Sequence, residues 1–244
     1  MSSRKKWDEK ATKYSRFSSS LTPFQTNIFD FIKKHKVDFR DKKIIDIGCG
    51  TGVYTLHLAL EAREVVGADF SMEMLKIMQN DAKSNGIHNI KTLHAKWDKL
   101  ELKESFDIAF CSMTPAVGDD KTFKKMHLCA KEKVYLGWGG KRESSFLDPI
   151  FKDFNSKYKA PSGGLDLLLW LHKEDISHEH IVLDETRSAF YGIEEAEENA
   201  AWHLGINKVE FSQKKLNSLI KNMFQKNDKI ENVIKSQMIL VVWR

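Results

Sequence analysis

A glycine-rich segment follows the first strongly hydrophobic run of the chain. Ile44–Ile47 is rich in β-branched residues, and glycines then occupy three alternate positions, Gly48, Gly50 and Gly52. Glycine permits a sharp turn and lets a ligand approach the backbone closely. A helix predicted to begin at Val53 would point its free N–H groups toward the same turn. The segment therefore predicts a ligand site between a strand and the helix that follows it.

The spacing of these glycines distinguishes among nucleotide-binding loops. A dinucleotide loop of the form G-x-G-x-x-G that starts at Gly48 needs a glycine at position 53, where this chain has Val53. A phosphate-binding P-loop needs Gly-Lys-Ser/Thr after the turn, and the sequence has none there. The spacing is instead G-x-G-x-G, with Asp46 two residues before it. The pattern argues against a pyrophosphate ligand.

A second acidic residue favours a nucleoside ligand. Asp69 follows the predicted strand Glu64–Ala68 and lies 17 residues after Gly52. In dinucleotide-binding folds an acid at a similar place binds the ribose hydroxyls. Phe70 comes next and has a ring that can pack against a purine.

The stretch Ile44–Gly52 followed by Asp69 resembles the S-adenosylmethionine (SAM) site of class I, Rossmann-like methyltransferases. The resemblance covers about residues 40–140, with a looser match in the final strand. It implies SAM as the cofactor and S-adenosylhomocysteine as the product. It also implies that the glycine-rich loop holds the methionine part of SAM and that Asp69 binds the ribose. The cofactor-binding residues that the resemblance implies are Asp46, Gly48, Cys49, Gly50, Thr51, Gly52, Asp69, Phe70, Met72, Lys96, Trp97, Cys111 and Ser112.

The sequence departs from this family after the third predicted strand. Members usually place an acid there that bonds the adenine amino group, and Lys96 occupies that position here. Trp97 is either an adenine platform or a core aromatic residue, and Asp98 is a substitute acid if the loop is shifted. Cys111 and Ser112 end the fourth predicted strand, where family members line the path to the substrate. No residue is assigned a catalytic role.

Strand and helix patterns alternate from Lys43 onward. This alternation predicts an α/β fold, a doubly wound and mostly parallel seven-stranded sheet with helices on both faces. Such a sheet places ligand loops at the carboxyl ends of its strands. The predicted strands are Ile44–Ile47, Glu64–Ala68, Ile90–His94, Phe106–Cys111, Val134–Trp138, His180–Tyr191 and Gln237–Trp243.

The predicted organisation is a helical N-terminal cap at 1–35 and a SAM-binding domain at 36–244. Three residues of the cap are candidates to fold over the cofactor: Trp7, Ala11 and Tyr14. The stretch 141–178 is longer than a simple crossover needs, and we expect it to cover the substrate. An apolar stripe at every fourth position predicts one amphipathic helix within it, formed by Phe146, Ile150, Phe154 and Tyr158.

Composition excludes several classes of protein. The chain has 244 residues, 41% of them hydrophobic, and a formal net charge of +5, which is ordinary for a globular domain. Its longest apolar runs are too short to span a membrane. The three cysteines form no C-x-x-C pair and no signal peptide is visible, so we expect a reducing, cytoplasmic location. His178 and His180 lack a third ligand nearby, so no metal is predicted.

The expected partner is a small-molecule methyl acceptor, because the predicted cover limits access and basic residues are not clustered. An RNA or protein acceptor is the alternative, suggested by the net charge of +5 and by the basic segment 4–6. A third possibility is a SAM-binding protein without catalysis, suggested by Lys96. No membrane partner is expected, and the sequence indicates no oligomeric state.

Overall fold

A computed structural model describes residues 3–102, 105–223 and 228–244. These residues form a seven-stranded sheet with the order β3-β2-β1-β4-β5-β7-β6. The four pairings that join β1 to β5 are parallel. The predicted α/β fold with a mostly parallel seven-stranded sheet is thereby confirmed. The strands are β1 Lys43–Ile47, β2 Glu64–Asp69, β3 Ile90–His94, β4 Phe106–Ser112, β5 Ala130–Ser144, β6 His178–Tyr191 and β7 Ile230–Trp243.

Helices connect most of these strands. Two of them begin at capping boxes, in which the side chains of Thr22 and Asp119 accept backbone N–H groups of the first turn. The apolar pattern of the sequence also predicts a helix over 213–225; the structure has a helix to Met223, and the last two predicted positions lie outside the described residues. The helices are α1 Ser3–Lys10, α2 Pro23–Lys34, α3 Thr55–Ala59, α4 Met72–Ser84, α5 Asp120–Cys129, α6 Leu147–Asp153, α7 Gly163–Lys173, α8 Ile193–Ile206 and α9 Gln213–Met223.

The chain divides into two compact units. The first unit contains the described residues of Met1–Gly137, Gly163–Val182 and Ile239–Arg244. The second unit contains the described residues of Trp138–Ser162 and Leu183–Met238. Strands β5, β6 and β7 have 15, 14 and 14 residues, and each contributes to both units.

The first unit has a core built on the parallel strands. Ile45 and Ile47 of β1 are fully buried in it, together with Phe123 of α5. Trp170 of α7 joins this core, with its ring centroid 6.0 Å from that of Phe123. The strands that lead to the glycine-rich loop and to Asp69 are thus packed into a common core.

The second unit has its own core, and one predicted helix is shorter there than expected. The stripe from Phe146 to Tyr158 does pack into this core, but α6 ends at Asp153. Asn155 takes a left-handed conformation with φ of 49°, and the Ser156 N–H donates to the Phe151 carbonyl. These are the features of a Schellman motif, which ends a helix. The prediction of one helix over all four stripe positions is therefore wrong.

The predicted cover, residues 141–178, contributes buried side chains to both units. Phe146 and Ile150 belong to the second core, whereas Leu167, Trp170 and Leu171 belong to the first. The segment is therefore part of the folded scaffold. A role in covering a substrate stays a prediction.

Candidate cofactor-binding site

The loop after β1 requires glycine for its backbone shape. Gly48, Gly50 and Gly52 have φ angles of 69°, 55° and 84°, in the left-handed region that residues with a Cβ atom avoid. The register pairs Ile47 with Ala68, so this loop begins beside the end of β2. The glycine spacing in the sequence thus corresponds to three alternate residues in the left-handed conformation.

Packing fixes both ends of this loop and leaves its middle open. A Cβ atom on Gly48 would lie 2.2 Å from Thr114 Oγ1, and one on Gly52 would lie 2.4 Å from Met78 Cγ. A Cβ atom on Gly50 would meet nothing within 4 Å. The backbone at Gly50 is therefore open to a ligand, while its two neighbouring glycines are closed by side chains.

Asp69 links the loop to the end of β2. Its Oδ2 accepts the Gly50 N–H at 3.0 Å, and its Oδ1 accepts the Ser71 N–H at 2.8 Å. The side chain is buried, and this burial raises the pKa of Asp69 even though the backbone donors oppose the shift. Each carboxylate oxygen has a further lone pair, so Asp69 can also accept hydrogen bonds from a ligand.

Asp46 stabilises the start of α3 from within the protein. The Thr55 hydroxyl donates to Asp46 Oδ2 at 2.5 Å, and both side chains are buried. Burial, together with the nearby charge of Asp69, raises the pKa of Asp46 to about 7, although the Thr55 hydrogen bond opposes the shift. Asp46 therefore sits behind the glycine loop as a buried acid.

The N-terminal segment lies against both loops. The Thr51 hydroxyl donates to the Ser15 carbonyl at 2.5 Å, and the Ser71 hydroxyl donates to Asp8 Oδ1 at 2.6 Å. Arg16 forms an ion pair with Asp81 of α4. Residues 8–16 are thus anchored to the loop after β1, to the end of β2 and to α4.

The aromatic residues of this segment pack with one another and with α3. Ala11 is fully buried, and the rings of Trp7 and Tyr14 meet edge to face at 6.1 Å. The rings of Phe17 and His57 lie 4.8 Å apart. These contacts hold the candidate cap residues of the sequence next to the glycine-rich loop.

Two residues that the resemblance assigns to the cofactor are buried in the core. Trp97 is 4% exposed, its indole N–H donates to the Thr122 carbonyl at 3.4 Å, and the Lys125 ammonium lies 4.5 Å from its ring centroid. Cys111 is fully buried, and burial raises the pKa of its thiol. Both side chains are therefore part of the core, and their contact with the cofactor stays a prediction.

The other predicted residues differ in exposure. Phe70, Met72 and Ser112 are half-buried at the ends of β2, the start of α4 and the end of β4. Lys96 is exposed, immediately before the 3₁₀ turn Trp97–Lys99. Lys96 is thus more exposed than the predicted residues at the ends of β2 and β4.

Three contributors to this site were missed in the sequence. Thr114 and Met78 close the loop at Gly48 and Gly52, and Asp8 binds Ser71. No local pattern marks them, since each acts through a contact between distant parts of the chain. The tight turn beside Thr114, where Met113 has a left-handed φ of 51°, is likewise visible only in the structure.

The sheet and the glycine-rich loop define a Rossmann-like α/β protein. A family model described as a methyltransferase domain matches residues 38–160, just over half of the chain. The chain belongs to this family of methyltransferase domains.

Individual proteins are also similar to this chain. An uncharacterised protein of Haemophilus influenzae is 27% identical over 134 residues, which are 54% of this chain and 48% of that protein. The chain thus spans about half the length of that relative. The YcgJ protein of Bacillus subtilis has a TM-score of 0.57 at 16% identity, covering 90% of this chain and 99% of that one. A coclaurine N-methyltransferase bound to N-methylheliamine and S-adenosylhomocysteine has a TM-score of 0.51 at 13% identity, covering 94% and 75%.

Two features are absent from the described part of the chain. Within it, no group of three or more His, Cys, Asp or Glu side chains is arranged to hold a metal ion. None of its helices combines the length and the apolar character needed to cross a bilayer.

Proposed function

We propose that this chain is a SAM-dependent methyltransferase. One observation carries the proposal: the backbone at Gly50 is open, and its N–H is held by the buried carboxylate of Asp69. This arrangement suits a ligand with both a sugar and a charged amino-acid part. Membership in the methyltransferase-domain family supports the same reading.

Each part of the site has a distinct task in this proposal. Bound SAM supplies a methyl group on a positively charged sulfur. The backbone of Gly48–Gly52 holds the methionine part, Asp69 accepts the ribose hydroxyls, and Phe70 and Met72 contact the adenine. Asp46 keeps the loop and α3 in place through Thr55. Alignment of the two reactants then supplies much of the rate.

We also propose that residues 1–35 act as a cap over the cofactor. Hydrogen bonds from Thr51 to Ser15 and from Ser71 to Asp8 support this role. The stretch 141–178 is proposed to contribute contacts to the acceptor. Cys49, Cys111 and Cys129 are free thiols, which fits a proposed cytoplasmic location.

The proposed acceptor is a small molecule. Residues 8–16 already cover the hydroxyl groups of Thr51 and Ser71, and this cover favours a compact acceptor. An RNA or protein acceptor is the alternative, for which the net charge of +5 is the observation in favour.

The test uses SAM with a radiolabelled methyl group. The protein is incubated separately with a small-molecule filtrate, with total RNA and with a protein fraction, and the label is followed. We expect label in small molecules, and loss of this label in Asp69→Ala. Label in RNA that declines steeply with salt would overturn the small-molecule acceptor. SAM binding without methyl transfer to any fraction would overturn the proposed activity and would indicate a SAM-binding protein without catalysis.

A further inference from the structure

Strand β6, His178–Tyr191, is the outermost strand of the sheet. Its inner neighbour is β7, and no strand among residues 3–102, 105–223 and 228–244 pairs with its outer edge. At 14 residues it is much longer than the average strand. Its outer edge therefore presents a long row of unpaired N–H and C=O groups.

This edge carries apolar side chains that are left in solvent. Phe190 is 60% exposed and Val182 is 47% exposed. Both have even numbers, so they share one face of the strand with Asp184, Thr186 and Ser188, all of which are exposed. Natural proteins usually protect such an edge with a short strand, a bulge, proline or lysine. Residues 178–191 contain no proline and no lysine.

We propose that β6 is a homodimer interface, at which the β6 strand of a second copy pairs antiparallel with it, centred on Thr186. A two-fold axis through Thr186 joins the two sheets into one continuous sheet. Each residue then faces the residue at the same distance on the other side of position 186.

The charged residues of β6 complement one another in this register. Glu185 of one copy faces Arg187 of the other, and the symmetry makes this pair twice. Neither side chain has a hydrogen-bond or ion-pair partner in the part of the chain that is described. Opposite charges across a strand pair are stabilising, whereas like charges are not.

The apolar residues complement one another in the same register. Phe190 faces Val182, and Leu183 faces Ala189, again twice each. A register centred on 185 or on 187 would instead place Arg187 against Leu183 or Glu185 against Ala189. A register shifted by one residue would exchange the faces of the strand. Of these registers, only the one centred on Thr186 pairs opposite charges and also pairs apolar residues with each other.

A second copy fits this edge better than an unrelated strand because β6 carries both halves of every pair. Self-complementarity of one surface patch is the mark of a two-fold interface. The pairing also covers the edge in both copies at once, so it does not propagate. The glycine-rich loop takes no part, and the dimer is therefore independent of the proposed methyl transfer.

The main test is a charge exchange, followed by sedimentation equilibrium of the full chain. The wild type is expected to dimerise in the micromolar range, since a single pair of strands is a small interface. Arg187→Glu and Glu185→Arg are each expected to raise the dimer dissociation constant at least tenfold. The double variant is expected to restore it to within about threefold of the wild type. A monomeric wild type, or a dimer that neither single variant weakens, would overturn the proposal, and so would a double variant no better than the singles.

A second comparison separates the edge from general surface hydrophobicity. Phe190→Ser is expected to weaken the dimer at least fivefold. Leu128→Ser removes a side chain that is 70% exposed on α5, and the dissociation constant is expected to stay unchanged. Circular dichroism checks that both variants are folded. Equal loss of dimer in both would contradict the assignment to β6.

Discussion

The loops after β1 and β2 differ sharply from those after β3 and β4. At the first pair, Gly50, Asp69 and Ser71 are joined by hydrogen bonds around an open stretch of backbone. At the second pair, Trp97 and Cys111 are buried in the core. The residues after β1 and at the end of β2 therefore form the candidate ligand site, whereas Trp97 and Cys111 support the scaffold.

This difference shows what a sequence pattern can specify. Glycines at alternate positions indicate that the backbone needs left-handed φ angles there, because such angles are costly for other residues. An acid at the end of a buried strand is also informative, since burial of a carboxylate needs donors such as the Gly50 N–H. An aromatic residue such as Trp97 gives the same apolar pattern in a core or against an adenine ring. Only the fold distinguishes these two places.

The largest expected effect concerns the buried acid behind the loop. Its pKa of about 7 in the fold lies above the ordinary value of 3.8. The folded state therefore binds this proton more tightly, so the stability from Asp46 is present below about pH 4 and is lost as pH rises to about 7. Relative to that of Asp46→Asn, the free energy of unfolding of the wild type should fall by up to roughly 4 kcal/mol across that window. Urea unfolding of the ligand-free protein at a series of pH values measures it.

The control for this pH dependence has the opposite sign. Arg40 holds the pKa of the exposed Asp38 at about 2, so Asp38→Asn removes stability that is present above about pH 4. A flat stability difference between wild type and Asp46→Asn would contradict the buried, protonated acid.

The next effect is a steric one at the end of the loop. Gly52→Ala combines a left-handed φ of 84° with a Cβ atom 2.4 Å from Met78 Cγ. We expect a loss of about 3 kcal/mol in the free energy of unfolding, from strain and overpacking together. The matched control is Gly86→Ala, whose φ is 69° but whose Cβ atom would meet nothing within 4 Å. It should lose only about 1 kcal/mol, and equal losses would show that Met78 does not close the loop.

A third effect compares the acids after β2 and β3 directly. Asp69→Ala removes the acceptor of the Gly50 N–H and should weaken SAM binding by about 1–3 kcal/mol. Asp98→Ala removes an exposed acid after β3 and should leave the affinity unchanged. Isothermal calorimetry measures both. A larger loss in Asp98→Ala would reverse the comparison and move nucleoside recognition to β3.

The smallest effect concerns the cap. Asp8→Ala removes the acceptor of the Ser71 hydroxyl, and the hydrogen bond contributes about 1 kcal/mol. Ser71 also caps α4 by accepting the Met74 N–H, so a double-mutant cycle with Ser71→Ala is needed to isolate the contact. Chemical denaturation supplies the four stabilities. A coupling energy near zero would show that the cap is not anchored at Ser71.

The sequence predicts the bounds of the first four strands more accurately than those of the later strands. The fifth strand was expected to end at Trp138, before two glycines, yet β5 continues to Ser144. A Cβ atom on Gly139 would lie 3.0 Å from Gln237 Cγ, so this glycine allows a close approach inside the sheet. A glycine that ends a strand and a glycine that allows close packing within a strand look identical in a sequence. The cap contacts of Asp8 and Ser15 were equally unreadable, because their partners lie 63 and 36 residues away.

The most direct test of the central claim is an amide NMR titration with S-adenosylhomocysteine. If the loop after β1 holds the nucleoside, the amide signals of Gly48, Gly50 and Gly52 shift together and saturably, along with that of Ser71. The amide signal of Gly86, an open glycine far from the loop in the sequence, stays in place. Unchanged loop signals at millimolar ligand would contradict the account.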